Sequence, residues 1–262
     1  MGRSRFLLWW LMGGFAFLYA PLAVLVAMSF NGSRLTTVWT GFSLRWYAAL
    51  LDDAALREAA LLSLWVAAAS ATVATVLGGV AGLALARFGA FRWRRAFAGL
   101  LAVPLVLPDL LIGLALLLLF VLLEQATGWP AGRGALTIIL AHATVGMAFV
   151  AGVVEGRLAG SGTALEQAAA DLGAPPFAAF RLVTLPRMMP ALAAGWLLAF
   201  TLSLDDVVIA SFVSGPGATT LPMMVFSALR LGVTPVLNAL ATVVLAMVGG
   251  VLLAAWWLGR AR

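Results

Sequence analysis

Long apolar stretches separated by short polar segments dominate the chain. A helix needs about 20 apolar residues to cross a hydrocarbon core about 30 Å thick. Six stretches approach or exceed this length, at residues 6–30, 60–86, 97–123, 135–155, 190–213 and 236–258. The pattern predicts an all-α polytopic membrane protein with six transmembrane helices.

The polar segments between these spans carry charge unevenly. All 16 basic residues are arginine, and most of them flank the predicted spans on one side of the membrane. Because positive charge is retained on the cytoplasmic side, we expect both termini and segment 156–189 to be cytoplasmic. Membrane orientation explains the net charge of +6, and a nucleic-acid partner is not expected.

Composition excludes several classes of protein. Hydrophobic residues make up 64% of the chain and charged residues 10%, whereas soluble domains contain about 25% charged residues. The chain has no cysteine and one histidine, His142, which excludes thiol chemistry and a metal cluster built on Cys or His. We interpret His142 as a helix-packing residue with satisfied hydrogen bonds rather than as a proton carrier.

Three aspartates fall inside the predicted spans, Asp109 in the third and Asp205 and Asp206 in the fifth. A carboxylate there costs at least about 2.5 kcal/mol, so it needs a compensating role. At 1.5 Å per residue from the cytoplasmic side, Asp109 and Asp205 lie about 18 and 22 Å deep and can share a depth. Pro104 and Pro108 are expected to kink or break the third helix just before Asp109.

Three roles are open for these acids. Intramembrane carboxylates mark substrate or proton pathways, so a site for a cationic substrate and a proton relay are both consistent with the pattern. In the third, structural role, Asp206 caps a break in the fifth helix and Asp109 pairs with backbone. A shared-proton protease dyad fits poorly, because adjacent residues such as Asp205 and Asp206 point about 100° apart on a helix.

Segment 156–189 has the signals of two short helices. Thr163 and Glu166 have the S/T-x-x-E spacing of a capping box, which predicts a helix from near Ala164. Gly173 can take the left-handed conformation that ends a helix. Pro176, with the proline before it, can open a second helix because proline is tolerated in a first turn.

The first of these helices has one apolar face, formed by residues at three- and four-residue steps: Leu165, Ala168, Ala169 and Leu172. Its small side chains permit close approach by another surface. Spacing alone leaves two interpretations open, a docking surface for a partner or an amphipathic linker resting on lipid headgroups.

A motif in this segment resembles the EAA loop of ABC importer permease subunits. It consists of Glu166, Ala168, Ala169, Gly173, Leu185 and Pro186, with Gln167 where the family pattern has its first alanine. The resemblance implies that this helix, including Asp171, docks on an ATP-binding subunit and transmits its motion. Segment 156–189 is then a cytoplasmic coupling loop.

The absence of lysine bears on this resemblance. A G-x-x-x-x-G-K-[ST] phosphate loop requires its lysine, and this chain has none. The chain therefore lacks that nucleotide site, no cofactor is expected in it, and ATP would be bound by a partner subunit.

A second, more specific resemblance runs over most of the chain. The stretches LSLDDVVIASFVSGPGATTLP, PLVLPD and FSLRWY are similar to those of polyamine importer permeases, most of all the putrescine-type subunit. The resemblance implies a type I ABC importer permease fold, with residues 1–262 as a single permease domain. It also implies a bacterial inner-membrane location and a transport subunit that is not itself an enzyme.

The same resemblance implies partners and pathway residues. The partners are a second related permease subunit, two ATP-binding subunits, a periplasmic polyamine-binding protein, membrane lipid and the polyamine itself. Trp46 and Tyr47 become candidates to line the pathway with the three aspartates, although as a pattern they are typical of interfacial aromatic residues. The alternative is a proton-coupled secondary transporter of a cationic solute.

Overall fold

The computed structural model describes residues 2–34 and 38–260. Within this part of the chain the fold is all-α, with one isolated β-bridge between Asn31 and Phe42. In chain order the helices are α1 (Gly2–Ser29), α2 (Arg45–Asp52), α3 (Ala54–Arg87), α4 (Arg94–Val106), α5 (Asp109–Thr127), α6 (Ala135–Gly160), α7 (Ala164–Asp171), α8 (Pro176–Ala179), a π-helical turn (Phe180–Thr184), α9 (Leu185–Asp205), α10 (Val208–Val213), α11 (Leu221–Leu231) and α12 (Pro235–Arg260).

Five described helical stretches are long and apolar enough to cross a membrane: Phe6–Ser29, Ala54–Arg87, Asp109–Thr127, Ala135–Gly160 and Pro176–Asp205. The sixth predicted span corresponds to α12. Its described apolar stretch, Pro235–Gly250, is shorter than the five stretches named above. The all-α membrane class is confirmed, whereas the count of six spans is not confirmed exactly.

The third predicted span, 97–123, has different limits in the structure and is divided between two helices. Helix α4 ends at Val106, and Leu107 takes an extended conformation with φ −77° and ψ 143° before α5 begins at Asp109. The break lies where the sequence predicts it. Its cause is Pro108, since a residue that precedes proline is pushed out of the helical region.

The fifth predicted span, 190–213, also has the wrong limits. Helix α9 ends at Asp205, Asp206 is extended with φ −69° and ψ 132°, and the short helix α10 follows. Two membrane helices are thus interrupted, each beside an aspartate. Interrupted backbone at membrane depth is tolerated where it lines a cavity or is buried in protein.

Backbone contacts divide the chain into two compact units, one of Met1–Arg57 with Val225–Arg262 and the other of Glu58–Met224. In the first unit, α12 packs against α1 and α2. The loop after α1 is organised by the Asn31 side chain, which donates a 2.6 Å hydrogen bond to Val38 O and accepts one of 2.9 Å from Thr40 N–H. The single permease domain expected from the sequence stays a prediction.

The second unit is built around α6, which has 12 buried residues among its 26 and packs against α4, α9 and α10. Helix α3 approaches α6 very closely at Gly78 and Gly82. A Cβ atom at either glycine would lie 2.6 Å from a backbone oxygen of α6, Met147 O or Ala151 O. This small-xxx-small spacing allows backbones to touch inside a membrane, and it fixes α6 as the centre of the unit.

Candidate functional site

A cleft of about 570 Å³ in the second unit lies at the two helix breaks. It brings together all three predicted aspartates, Asp109, Asp205 and Asp206, with His142. The rest of the lining is mostly apolar and includes Leu105, Val145, Phe149, Leu202 and Val208. Carboxylates set in apolar walls make a site for a ligand that is both cationic and aliphatic.

Asp109 is the first residue of α5 and is exposed to the cleft. Among the described residues, its carboxylate has no hydrogen bond or ion pair. The free N–H groups of a helix N-terminus favour a negative charge, which suits a carboxylate at this position.

Asp205 is the last residue of α9 and is also exposed in the cleft, where its carboxylate is paired with no other side chain among the described residues. Its position is less favourable for a negative charge, because the carbonyl groups at a helix C-terminus carry partial negative charge. The neighbouring aspartates add charge of the same sign. The described residues that line the cleft include no arginine, so a bound cation would offset these negative charges.

Asp206 differs from the other two aspartates because its carboxylate is occupied. Oδ2 accepts hydrogen bonds from Ala210 N–H at 2.7 Å and from His142 Nε2 at 3.2 Å, and Oδ1 accepts one from Ile209 N–H at 3.3 Å. Asp206 thus caps the first turn of α10 and fixes the second break. This is the structural role that the sequence left open for it.

A chain of polar side chains leads from Asp206 into the core. His142 Nδ1 lies 2.6 Å from Ser203 Oγ, and Ser70 Oγ donates to Ser203 Oγ at 3.0 Å. One set of protons fits both bonds of the His142 ring: Ser203 Oγ–H donates to Nδ1, and Nε2–H donates to Asp206 Oδ2. Both ring nitrogens then have partners, which agrees with the interpretation of His142 as a satisfied packing residue.

Sequence reasoning missed the two serines of this hydrogen-bonded network, Ser70 and Ser203. Ser203 lies three residues before Asp206 and therefore on the same side of the helix as the break. Ser70 gives no comparable signal, since it is 133 residues from Ser203 in sequence.

Trp46 and Tyr47 lie in the first unit, at the start of α2. Trp46 Nε1–H donates to Asn31 O at 2.7 Å, and the Tyr47 hydroxyl lies 2.6 Å from Ser29 Oγ. Both polar groups are therefore used in folding the loop after α1. A place for these two residues in a substrate pathway stays a prediction.

Helix α7 begins at Ala164, as predicted, but the predicted capping box is wrong. The Thr163 side chain makes no capping hydrogen bond. The Glu166 carboxylate instead pairs with Arg87 at 3.1 Å and Arg187 at 3.2 Å. Each guanidinium group gives the carboxylate a full positive charge as well as a hydrogen bond, and these two pairs take the place of the single bond to the Thr163 N–H that a capping box requires.

The end of α7 follows the prediction. Gly173 has φ +80°, and its N–H donates to Ala170 O at 2.9 Å while Ala174 N–H donates to Ala169 O at 3.0 Å. These two bonds are the Schellman pattern that ends a helix at a left-handed residue. The helix that follows opens at Pro176, also as predicted.

Electrostatics at Glu166 favour the ionised carboxylate. Burial raises the pKa of Glu166, but hydrogen bonds from its own backbone N–H and from Arg87 lower it, as do the positive charges of Arg87 and Arg187. The net pKa lies below the ordinary value for glutamate. Glu166 is therefore a charged anchor at neutral pH.

An apolar groove of about 400 Å³ runs beside α7. The predicted apolar face of the helix forms one wall, and the segment around Leu182 and Pro186 forms the other. Leu172 is 89% exposed, and Asp171 at the end of α7 is exposed, as is Ala168. Leu185 is half-buried at the start of α9. These residues thus form an open surface, whereas Glu166 is turned inward.

Comparison with known proteins places this fold and site in context. Residues 74–260 match the family described as binding-protein-dependent transport system inner membrane component. The chain is 58% identical over 245 residues to the putrescine transport system permease protein PotI of Escherichia coli (strain K12), covering 94% of this chain and 87% of that protein. It is 41% identical over 242 residues to the spermidine/putrescine transport system permease protein PotC of the same strain, covering 90% and 89%.

A solved structure shows the same fold at much lower identity. A chain of a bacterial ABC transporter involved in the import of the acidic polysaccharide alginate matches with a TM-score of 0.60 and 17% identity, covering 98% of this chain and 95% of that chain. The fold is thus that of an ABC importer permease. Taken with the matches in sequence, this protein belongs to the family of inner membrane components of binding-protein-dependent transport systems.

Proposed function

We propose that this chain is a permease subunit of an ATP-driven polyamine importer, with putrescine as its favoured substrate. Two similar proteins are named for putrescine or spermidine/putrescine transport. The chain would form half of the translocation pathway, and a second, related permease subunit would form the other half. A periplasmic polyamine-binding protein would deliver the substrate, and both termini would lie in the cytoplasm.

One observation carries the substrate assignment. Asp109 and Asp205 both face one cleft, and neither carboxylate is paired with another side chain in the described structure. A diamine has two ammonium groups for two carboxylates and an aliphatic middle for apolar walls. The volume of about 570 Å³ lies within the 300–1,000 Å³ common for small-molecule sites.

Energy would come from separate subunits. The chain contains no lysine and so cannot form a lysine-dependent phosphate loop. Two ATP-binding subunits would dock on the cytoplasmic surface of α7, with the exposed groove beside Leu172 as the apolar contact. No enzymatic step and no bound cofactor is assigned to this chain.

The test is uptake of labelled putrescine by vesicles that contain the transporter assembled from this chain and its partner subunits. Loss of a charged hydrogen-bonding partner costs about 1.5–3 kcal/mol. Asp109→Asn and Asp205→Asn, made singly, should therefore lower uptake at subsaturating putrescine by roughly tenfold to a hundredfold. Asp52→Asn, which neutralises an exposed acid outside the cleft, should leave uptake unchanged.

Two controls separate this proposal from a proton-coupled secondary transporter. Uptake should require ATP and the ATP-binding subunits, and it should survive collapse of the proton gradient. Normal uptake in both single variants would contradict the cation site. Uptake by this chain without any partner subunit would contradict the assignment as an importer subunit.

A further inference from the structure

Glu166 lies where helix ends from the membrane region meet the cytoplasmic helix. Arg87 is the last residue of α3, and Arg187 lies in the first turn of α9. Both guanidinium groups bind the Glu166 carboxylate, Arg87 through Oε1 and Arg187 through Oε2. One carboxylate on α7 thus holds two membrane helices.

The two arginines also bind the C-terminal end of α6. Arg87 donates to Leu158 O at 3.0 Å and to Gly162 O at 2.7 Å, and Arg187 donates to Ser161 O at 2.6 Å. Positive groups are favourable at a helix C-terminus, where carbonyl groups lack partners. The Glu166 cluster therefore joins α3, α6, α7 and α9 at one point.

Burial distinguishes this cluster from an ordinary surface ion pair. The side chains of Arg87, Glu166 and Arg187 are 13%, 17% and 24% exposed. The nearby pair Arg94–Glu155 has a longer distance of 3.7 Å and side chains that are 41% and 38% exposed, and such pairs contribute little. Both Glu166 oxygens are already bound by this chain, so the carboxylate is not presented to a docking partner.

We propose that Glu166 is an internal latch that ties α7 to the cytoplasmic ends of α3, α6 and α9. The inference rests on the proposed coupling of α7 to a separate ATPase, and it assigns Glu166 the transmission of movement rather than contact with that subunit. Helix α9 runs without interruption from Arg187 to Asp205, about 27 Å at 1.5 Å per residue. Displacement of α7 would thus move α9, the helix whose last residue, Asp205, lines the cleft.

The first test measures the latch without ATP or substrate. Hydrogen exchange is compared in the full chain in lipid nanodiscs, wild type against Glu166→Gln. Loss of the two ion pairs should speed exchange of the Ala164–Asp171 amides by about fivefold or more, because local opening then breaks fewer contacts. The matched control, Glu155→Gln, removes a more exposed pair and should leave these amides unchanged. Equal exchange in Glu166→Gln and wild type would overturn the latch.

The second test asks whether Glu166 acts through Arg187 or through the ATPase. Glu166→Gln, Arg187→Gln and the double variant are compared in the assembled transporter. The latch predicts that the double variant loses no more transport per ATP than the worse single variant, and that the ATP-binding subunits co-purify in all three. Additive losses, or loss of those subunits in Glu166→Gln alone, would show a direct contact with the ATPase instead.

These readouts are independent of the substrate assignment. If exchange rises in Glu166→Gln but the transporter takes up no polyamine, the latch stands and the polyamine proposal fails. If uptake and its dependence on the cleft aspartates are as proposed but exchange is unaffected, the latch fails alone.

Discussion

Two acidic regions of this protein use carboxylates in opposite ways. At helix α7, both oxygens of Glu166 are bound by arginines. In the cleft, Asp109 and Asp205 are paired with no other side chain in the described structure, although desolvation makes an unpaired charge expensive inside a membrane. A carboxylate whose oxygens are both bound by other residues holds helices together. A carboxylate without such partners in apolar surroundings can bind a positive ligand. Depth in the membrane does not explain this difference, because Asp206 lines the same cleft and yet accepts hydrogen bonds from other residues.

The largest effect on uptake should follow from removing both acids that have no side-chain partner. Asp109→Asn combined with Asp205→Asn leaves the cleft without a free carboxylate, and two lost charged contacts at about 1.5–3 kcal/mol each should reduce putrescine uptake by a hundredfold or more. Thermal stability should not fall, since neither side chain is paired with another. A large drop in the unfolding temperature, measured in detergent, would mean that these acids are structural after all.

Asp206→Ala should have the reverse signature. It removes the cap of α10 and the partner of His142, and loss of a capping side chain costs about 0.5–2 kcal/mol. We expect a lower unfolding temperature, whereas Asp205→Ala should leave that temperature unchanged. Asp206→Asn is the matched control, because asparagine caps about as well as aspartate. If Asp206→Asn is fully stable but reduces uptake as much as Asp205→Asn, Asp206 also serves the substrate.

The stability that the Glu166 ion pairs contribute should depend on pH in a defined direction. The folded pKa of Glu166 lies below its ordinary value, so its stabilising contribution is present above the unfolded pKa and is lost as pH falls through the folded pKa. The unfolding temperature of wild type should exceed that of Glu166→Gln by about 2–4 °C near pH 7, which corresponds to roughly 1 kcal/mol. The gap should close in strongly acidic buffer. A gap that grows as pH falls would contradict the paired carboxylate.

The smallest effect concerns the turn that ends α7. Gly173→Ala has open space around the new methyl group, so only the left-handed conformation opposes it, at roughly 1 kcal/mol. Hydrogen exchange at the end of α7 should rise modestly. Gly173→Asn should cost less, because asparagine tolerates this conformation better. An equal cost for both would indicate that a contact, and not the backbone, requires glycine.

Local signals were the reliable part of the sequence. The break before Asp109 follows from Pro108, the start of the second cytoplasmic helix from Pro176, and the end of α7 from Gly173. Each depends on steric or hydrogen-bonding limits within a few residues. The capping box at Thr163 failed because a local pattern met stronger distant partners, one of them 79 residues away.

Packing signals were weaker. The spacing of Gly78 and Gly82 is typical of close helix contact in membranes, yet it does not say which helix approaches. Likewise Ser70 and Ser203 are ordinary serines in apolar runs until α3 and α9 bring them within 3.0 Å. Such residues acquire a role only from a neighbour that the sequence does not identify.

The sequence by itself determined the membrane class, the start and end of α7 and the helix break before Asp109, because hydrophobicity, proline and glycine act locally. Only the tertiary structure decided which acids are free. The four carboxylates have the same chemistry, but Glu166 and Asp206 meet arginines, a histidine and backbone N–H groups, whereas Asp109 and Asp205 face a cleft. Whether a carboxylate is paired depends on residues far away in the chain, which only packing brings into contact.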